Sequence, residues 1–276
     1  MRQKARRVRG AFLMVMLGAL IATDRAAAAG DRSAEPRSEI RLGTMLAQFG
    51  SDLRLDGAGG VGSNLDLEDR LGMNKDVTDF RLDLRYRMTP RQRLDLSYYE
   101  LSRSGRRVTD RILTIGDRVF DIGTDLESEF DTSIYKLAYM WSFRQDEDWE
   151  VAGSFGIFAL DAAFSARGQL LGSPQIERER ATSVFPLPVF GVHATRHFGD
   201  AWTINGDLQY FGVEINDIDG SILDARLTVD WMFRPHIGVF AGLNYVGFRV
   251  NSGDSDLSGK VRYEYTSALA GIKLVL

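Results

Sequence analysis

From Glu39 to the end of the chain, apolar and polar residues alternate with a period of two. Phe80, Leu82, Leu84, Tyr86 and Met88 alternate with Arg81, Asp83, Arg85 and Arg87. Leu223, Ala225, Leu227, Val229, Trp231 and Phe233 alternate in the same way with Asp224, Arg226, Thr228, Asp230 and Met232. Trp202, Ile204, Leu208 and Tyr210 do so with Thr203, Asn205, Asp207 and Gln209. Successive side chains of a strand point to opposite faces, so each run reads as a strand with one apolar and one polar face. The pattern predicts ten strands, at roughly 39–49, 79–88, 93–104, 131–143, 149–162, 184–198, 202–213, 221–233, 237–250 and 260–276.

The connectors alternate in length. Those at 89–92, 144–148, 199–201 and 234–236 are short. Those at 50–78, 105–130, 163–183, 214–220 and 251–259 are mostly longer and rich in Gly, Asp and Ser. Short turns on one side, long loops on the other and an even strand number are the pattern of a barrel in lipid, whose tilted strands need about 9–11 residues to cross. The fold class expected is therefore all-β: a single antiparallel up-and-down transmembrane barrel of about ten strands, with eight or twelve as the alternatives. Trp141, Phe143 and Trp149 bracket one short turn, Phe198 and Trp202 another, and Trp231 and Phe233 precede a third. Rings at one level form a girdle where lipid headgroups would lie. A soluble lipocalin-like barrel would hide its apolar face inside and need no such girdle. The facing is least defined near Tyr99 and Leu101 and in the last strand, where Tyr263 and Tyr265 fall opposite to Leu274 and Leu276.

The first residues change the picture from fold to address. Arg2, Lys4, Arg6, Arg7 and Arg9 precede an apolar stretch, Ala11 to Ala22, which is too short for a spanning helix of about twenty residues. It ends in Ala27-Ala28-Ala29, the small-x-small form of a signal-peptidase site. Residues 1–29 are thus expected to be a cleaved signal peptide, 30–38 a short periplasmic lead-in, and 39–276 the barrel. The chain has no Cys, which excludes a lipid anchor on cysteine and a disulfide scaffold. Its net charge is −4, and losing a basic signal makes the remainder more acidic, which gives no support for nucleic-acid binding.

The chain ends inside a strand, Ala268-Leu269-Ala270-Gly271-Ile272-Lys273-Leu274-Val275-Leu276. Gly271, Leu274 and the terminal Leu276 resemble the C-terminal signal read by barrel-assembly machinery, with Leu in place of the usual final Phe or Trp. With the period and the girdle, the whole mature chain resembles small Gram-negative outer-membrane β-barrel proteins. The resemblance implies an outer-membrane location and the barrel fold; outer-membrane lipid and lipopolysaccharide, and the assembly machinery through the last strand, are the expected partners, and so complete a girdle leads to the expectation of a monomer. It implies no particular activity.

Candidate chemistry is sparse. Arg81, Asp83, Arg85, Arg87, Asp95, Lys136, Asp207, Asp224, Arg226 and Asp230, with Glu150, are expected to line the lumen. A five-residue first turn would set Arg87 opposite Asp95, and a tight turn at Asn216-Asp217 would set Asp207 opposite Arg226. Such cross-strand pairs would neutralise one another and plug the lumen, while a narrow porin-like path is the competing reading. No cofactor or metal is expected. The enzymes known among outer-membrane barrels place a His near the outer leaflet, whereas His193, His197 and His236 fall in the periplasmic half, so no catalytic residue is assigned. Asp66, Glu68 and Asp69 in the first long loop are a candidate cation-binding loop, weighed against a solvated acidic loop. Val108–Ile115 and Val119–Thr124 read as a second surface hairpin.

Pro186 and Pro188 each lack the N–H that a ladder needs. Being two apart, both omit it toward the same neighbouring strand. They mark a candidate lateral gap, and with it the alternative of a lipid-binding or lipid-modifying barrel.

Overall fold

The computed structural model describes residues 37–55, 63–115, 117–170, 176–215, 218–252 and 259–276. The expected signal peptide lies outside the described residues, as does all but the end of the lead-in. Ten long strands form the wall: β1 Ser38–Leu55, β2 Asp76–Thr89, β3 Gln92–Val108, β4 Thr124–Gln145, β5 Trp149–Leu170, β6 Ile176–Phe198, β7 Trp202–Ile215, β8 Ile218–Arg234, β9 Ile237–Ser252 and β10 Gly259–Val275. Each pairs antiparallel with its sequence neighbour, and β1 also pairs with β10 from Glu39↔Val275 to Leu55↔Gly259. The sheet therefore closes on itself, each wall strand being paired on both sides over at least part of its length.

The lipid-facing surface follows the expected alternation. Leu42, Leu46, Leu137, Phe155, Ile157, Val192, Leu208, Leu227 and Leu243 are exposed on the outside. Trp141, Phe143, Phe198, Trp202, Trp231 and Phe233 ring the end with the short turns, and Trp202 stacks on Trp231 at 5.9 Å. The Arg196 guanidinium lies over the Trp149 and Phe198 rings, so its charge stays at the level of the headgroups while its stem covers apolar wall.

The strands run further than the hydropathy pattern predicts. Segments 124–130, 163–170 and 176–183 were expected in loops, yet they belong to β4, β5 and β6. The facing is unbroken, but the polarity of the two faces inverts there. Leu126, Phe130 and Phe164 point inward and are buried, whereas Asp125, Glu127, Glu129 and Asp131 point outward. Beyond the hydrocarbon the outside of the wall meets water, so the apolar face turns into the lumen.

Gly43 and Gly271 face each other across the closing seam. A Cβ on Gly271 would lie 2.2 Å from the Leu42 carbonyl oxygen and 2.8 Å from the Phe240 ring. Gly271→Val is therefore expected to cost about 1–3 kcal/mol by overpacking. The fall in urea midpoint of the refolded barrel measures it, and an unchanged midpoint would mean that the seam relaxes freely.

Candidate functional site: the lumen and the outer rim

The lumen has two halves of opposite chemistry. Its outer half is a core of buried apolar side chains, among them Met45, Phe49, Leu101, Phe130, Ile134, Phe158, Phe164 and Phe248. This corrects the expectation of a polar interior throughout. Tyr99, Leu101 and Arg103 face inward together, which settles the facing near Tyr99. Tyr263 and Tyr265 are likewise inward and Leu276 outward, as their opposite phases require. Two hydrogen bonds cross the lumen within this core, Tyr265 to Tyr99 at 2.7 Å and Thr132 to Tyr263 at 2.9 Å.

The periplasmic half is charged and tied across its width. Of the ten residues expected to line the lumen, Arg81, Lys136, Asp224 and Asp230 are buried and the other six part-buried, and each makes an ion pair. Arg226 reaches Asp83 on the far wall at 3.0 Å and its ladder partner Asp207 at 3.1 Å. Arg81 also grips Asp83, at 2.9 Å. Lys136 spans to Asp224, which also accepts from Asn244. Nearer the short turns, Glu150 receives Arg87 at 2.8 Å and Arg93 at 3.2 Å. Asp230 receives Arg41 at 2.7 Å and Lys273 at 2.9 Å, and Glu39 binds the same two cations. A space of about 20 Å³ remains among Glu39, Arg41, Asp83, Arg85, Asp95 and Arg226, room for about one water.

One register expectation is corrected. Arg85, not Arg87, faces Asp95, at 3.3 Å, and Arg87 faces Arg93. Pro90 and Arg91 alone form the turn, because Thr89 pairs with Gln92 and a bulge follows Arg87. The displaced Arg87 finds Glu150 instead. Arg41, Arg93, Glu39 and Lys273 were missed as lumen residues; Arg93 is in phase with Asp95, Glu39 and Arg41 alternate with Ile40 and Leu42, and Lys273 alternates with Ile272 and Leu274, so the alternation itself could have found them.

His193 is buried and holds Asp207 at 2.5 Å through Nδ1 and Thr195 at 2.8 Å through Nε2. The order resembles that of a hydroxyl, base and carboxylate triad. Thr195, however, donates its proton to Asn205 at 3.1 Å, and both its neighbours are enclosed by the ion network. The hydroxyl is thus not poised to lose its proton to the histidine, and the chain acts as a tie. His197 contacts Thr203 at 3.1 Å, and His236 lies in the last turn.

The long loops fold into the mouth. Leu65, Leu67, Leu71 and Met73 of the first, and Leu113, Ile115 and Phe120 of the second, join the apolar core. The short strands Leu113–Ile115 and Arg118–Phe120 do form a hairpin, with Leu113, Ile115 and Phe120 turned down into the barrel and Val119 exposed on the opposite side. Ser63 and Thr114 tie the two loops together. Glu68 turns inward to Arg103 and accepts the Ser51 N–H at 3.0 Å. Asp66 accepts the Asp69 N–H at 2.6 Å, and Asp69 lies 3.4 Å from Lys75. The three acids are therefore not brought together, and among the described residues no group of three His, Cys, Asp or Glu converges on a metal.

Pro186 and Pro188 lie on β6, facing outward, where the β6–β7 ladder has stopped. That ladder runs from Phe198↔Trp202 to Phe190↔Tyr210 and ends. Above it β6 remains paired with β5 up to Ile176↔Gln169.

Closed antiparallel wall, girdle and alternating lipid face together define the outer-membrane β-barrel fold, here with a plugged lumen. The fold is similar to that of the outer membrane protease OmpT from Escherichia coli, with a TM-score of 0.55 and 10% identity over 90% of this chain and 99% of that one. The Ail protein of Yersinia pestis (14% identity, 87% of this chain, 100% of that one, TM-score 0.35) and the P. putida toluene transporter TodX (7%, 88%, 91%, 0.35) overlap more loosely. No family model and no curated protein matches the chain.

Proposed function

We propose that this chain is a non-enzymatic protein of the cell outer membrane that seals its own lumen and acts through its outer rim and wall as a structural and surface-interaction barrel. The observation that carries the reading is the set of ion pairs crossing the periplasmic half beneath a packed apolar half. A permeant ion would have to displace both a salt-bridged layer and an oily one, and each opposes it for a different reason. Single-channel recording of the refolded mature barrel in a planar bilayer is expected to show a silent membrane. Steady ion-sized steps would overturn the reading in favour of a narrow porin-like channel.

The partners follow from the wall. Outer-membrane lipid covers the apolar belt, β10 is the strand offered to the assembly machinery, and the complete girdle suits a monomer. Arg249 and Arg262 stand directly opposite each other on the exposed outer face, with Glu264 as an acid 3.0 Å from Arg262. Like charges so placed repel, and lipopolysaccharide phosphates at that level would relieve the pair. A second reading, lateral handling of lipid, is favoured by the early end of the β6–β7 ladder.

A further inference from the structure

We propose that the outer end of the β6–β7 seam is a side entrance that takes a single apolar chain, bearing a hydroxyl, from the outer leaflet into the apolar half of the lumen. The inference deepens the lateral-lipid reading and is independent of whether the lumen conducts.

Three observations converge on the seam. The first is direction. His197 N–H donates to the Asp148 carbonyl on the β5 side, and N–H direction alternates along a strand. The β5–β6 register runs without a bulge from Arg196 to Ile176, so every even-numbered β6 nitrogen faces β7. The two missing donors of Pro186 and Pro188 therefore both point at the open seam. Had the ladder continued, they would have met Gly212 and Glu214, and with no N–H to give, two of the four bonds of those pairs would be missing, which weakens the closure there.

The second is level. In the strands beside β6, Pro188 pairs with Ile157 and Pro186 with Ala159, and these in turn pair with Leu137 and Tyr135. Tyr135 packs on Tyr98 at 5.1 Å, and the next outward positions are Ser133 and Asp161. The seam thus opens across the last apolar rows below the polar collar, where outer-leaflet hydrocarbon lies against the wall. Below it, the same face of the wall carries an apolar groove of about 640 Å³ lined by Val192, Leu208, Ala225, Leu227 and Leu243. Lipid chains are the occupant that this surface already meets.

The third is what waits inside. Phe185, Leu187 and Phe211 flank the seam on the inner face, only partly buried, and pack against the apolar core. Phe185 reaches Phe248 across the lumen at 5.6 Å. At the base stands Gln209, whose ladder partner is Gly191; a Cβ on that glycine would lie 2.8 Å from the Gln209 Cγ, so the amide side chain leans over it. Gln209 is 5% exposed, and among the described residues its Oε1 has no hydrogen-bond partner. A buried acceptor left unpaired is costly, and a hydroxyl carried on an entering chain would satisfy it.

The test uses the whole refolded barrel in liposomes and a fatty acid carrying a diazirine near its end. Photolabelling mapped by mass spectrometry is expected to hit Phe185, Leu187 or Phe211 as well as outward residues such as Val184 and Tyr210. A hydroxylated fatty acid should displace the inner label about fivefold better than its unhydroxylated parent, the worth of one hydrogen bond, and Gln209→Leu should erase that advantage. Leu187→Trp, which fills the inner side, should remove the inner label and spare the outer one. Pro186→Thr with Pro188→Thr should reduce inner labelling by restoring the missing donors. Labelling confined to the outer wall, unchanged by these substitutions, would mean ordinary annular lipid and would overturn the entrance. Inner labelling without preference for the hydroxyl would overturn the role of Gln209. Neither result depends on the conductance recording.

Discussion

Arg103→Ala is expected to destabilise the barrel by about 3–5 kcal/mol, because it strands a buried carboxylate in oil. Arg103 is a buried cation within the apolar half. It binds Glu68 and the Ser51 hydroxyl, and its guanidinium lies 4.4 Å from the Phe49 ring centroid and 5.6 Å from those of Phe130 and Tyr263. Glu68 belongs to the first long loop, so the pair also fastens that loop inside the mouth. Among the described residues, removing the arginine leaves Glu68 with the Ser51 N–H alone, in a place where it is buried. The loop should then lift, carrying Leu65, Leu67, Leu71 and Met73 out of the core. Two measurements check this: the urea midpoint in micelles, and the rate of proteolytic cleavage within 63–75. Replacing both members, Arg103→Met with Glu68→Leu, should restore most of the stability, since no buried charge is then left alone. A double variant as weak as the single one would show that the cation–π contacts, not the ion pair, hold the mouth.

Asp230→Ala is expected to cost a similar amount, about 3–5 kcal/mol, for the opposite reason: it strands cations. Asp230 is fully buried, and its Oδ2 accepts from Arg41, Lys273 and Asn205. Without it Arg41 and Lys273 share only Glu39. Asp230→Asn keeps the shape and one acceptor and should cost less than the alanine. The informative result lies in pairing stability with conductance. The periplasmic layer would be disrupted while the apolar layer above stays packed, so the variant should unfold at lower urea and still be electrically silent. A variant that conducts would show that the ion network alone makes the seal.

How much of this was legible in the sequence depends on where each residue sits relative to lipid. Between the girdle and the outer rows, alternation gives a strand's place and its facing together, and the lumen set from Arg81 to Asp230 follows directly. Above those rows the same period continues with inverted meaning. Asp125, Glu127 and Glu129 read as loop because no rule of alternation says which solvent a face meets. Phe49 and Phe130 could not be told from lipid-facing rings for the same reason. The first turn was misjudged by one bulge, which moved Asp95 from Arg87 to Arg85. Loop folding was invisible, since Leu65 and Phe120 find their partners only once the mouth exists. Pro186 and Pro188 were the exception: a missing donor has the same consequence in any solvent, and two of them two residues apart specify a side.

The ties between opposite walls also bear on mechanics. An empty ring of strands can ovalise when the bilayer presses on it, at little cost to any single ladder. In this barrel Arg226–Asp83, Lys136–Asp224 and Tyr265–Tyr99 act as spokes set at different heights, so flattening along one diameter must stretch a bond along another. Bilayer tension should therefore leave the cross-section round and concentrate its strain where no ladder braces the rim, along the upper flank of β6, making that flank the compliant joint of an otherwise stiff post.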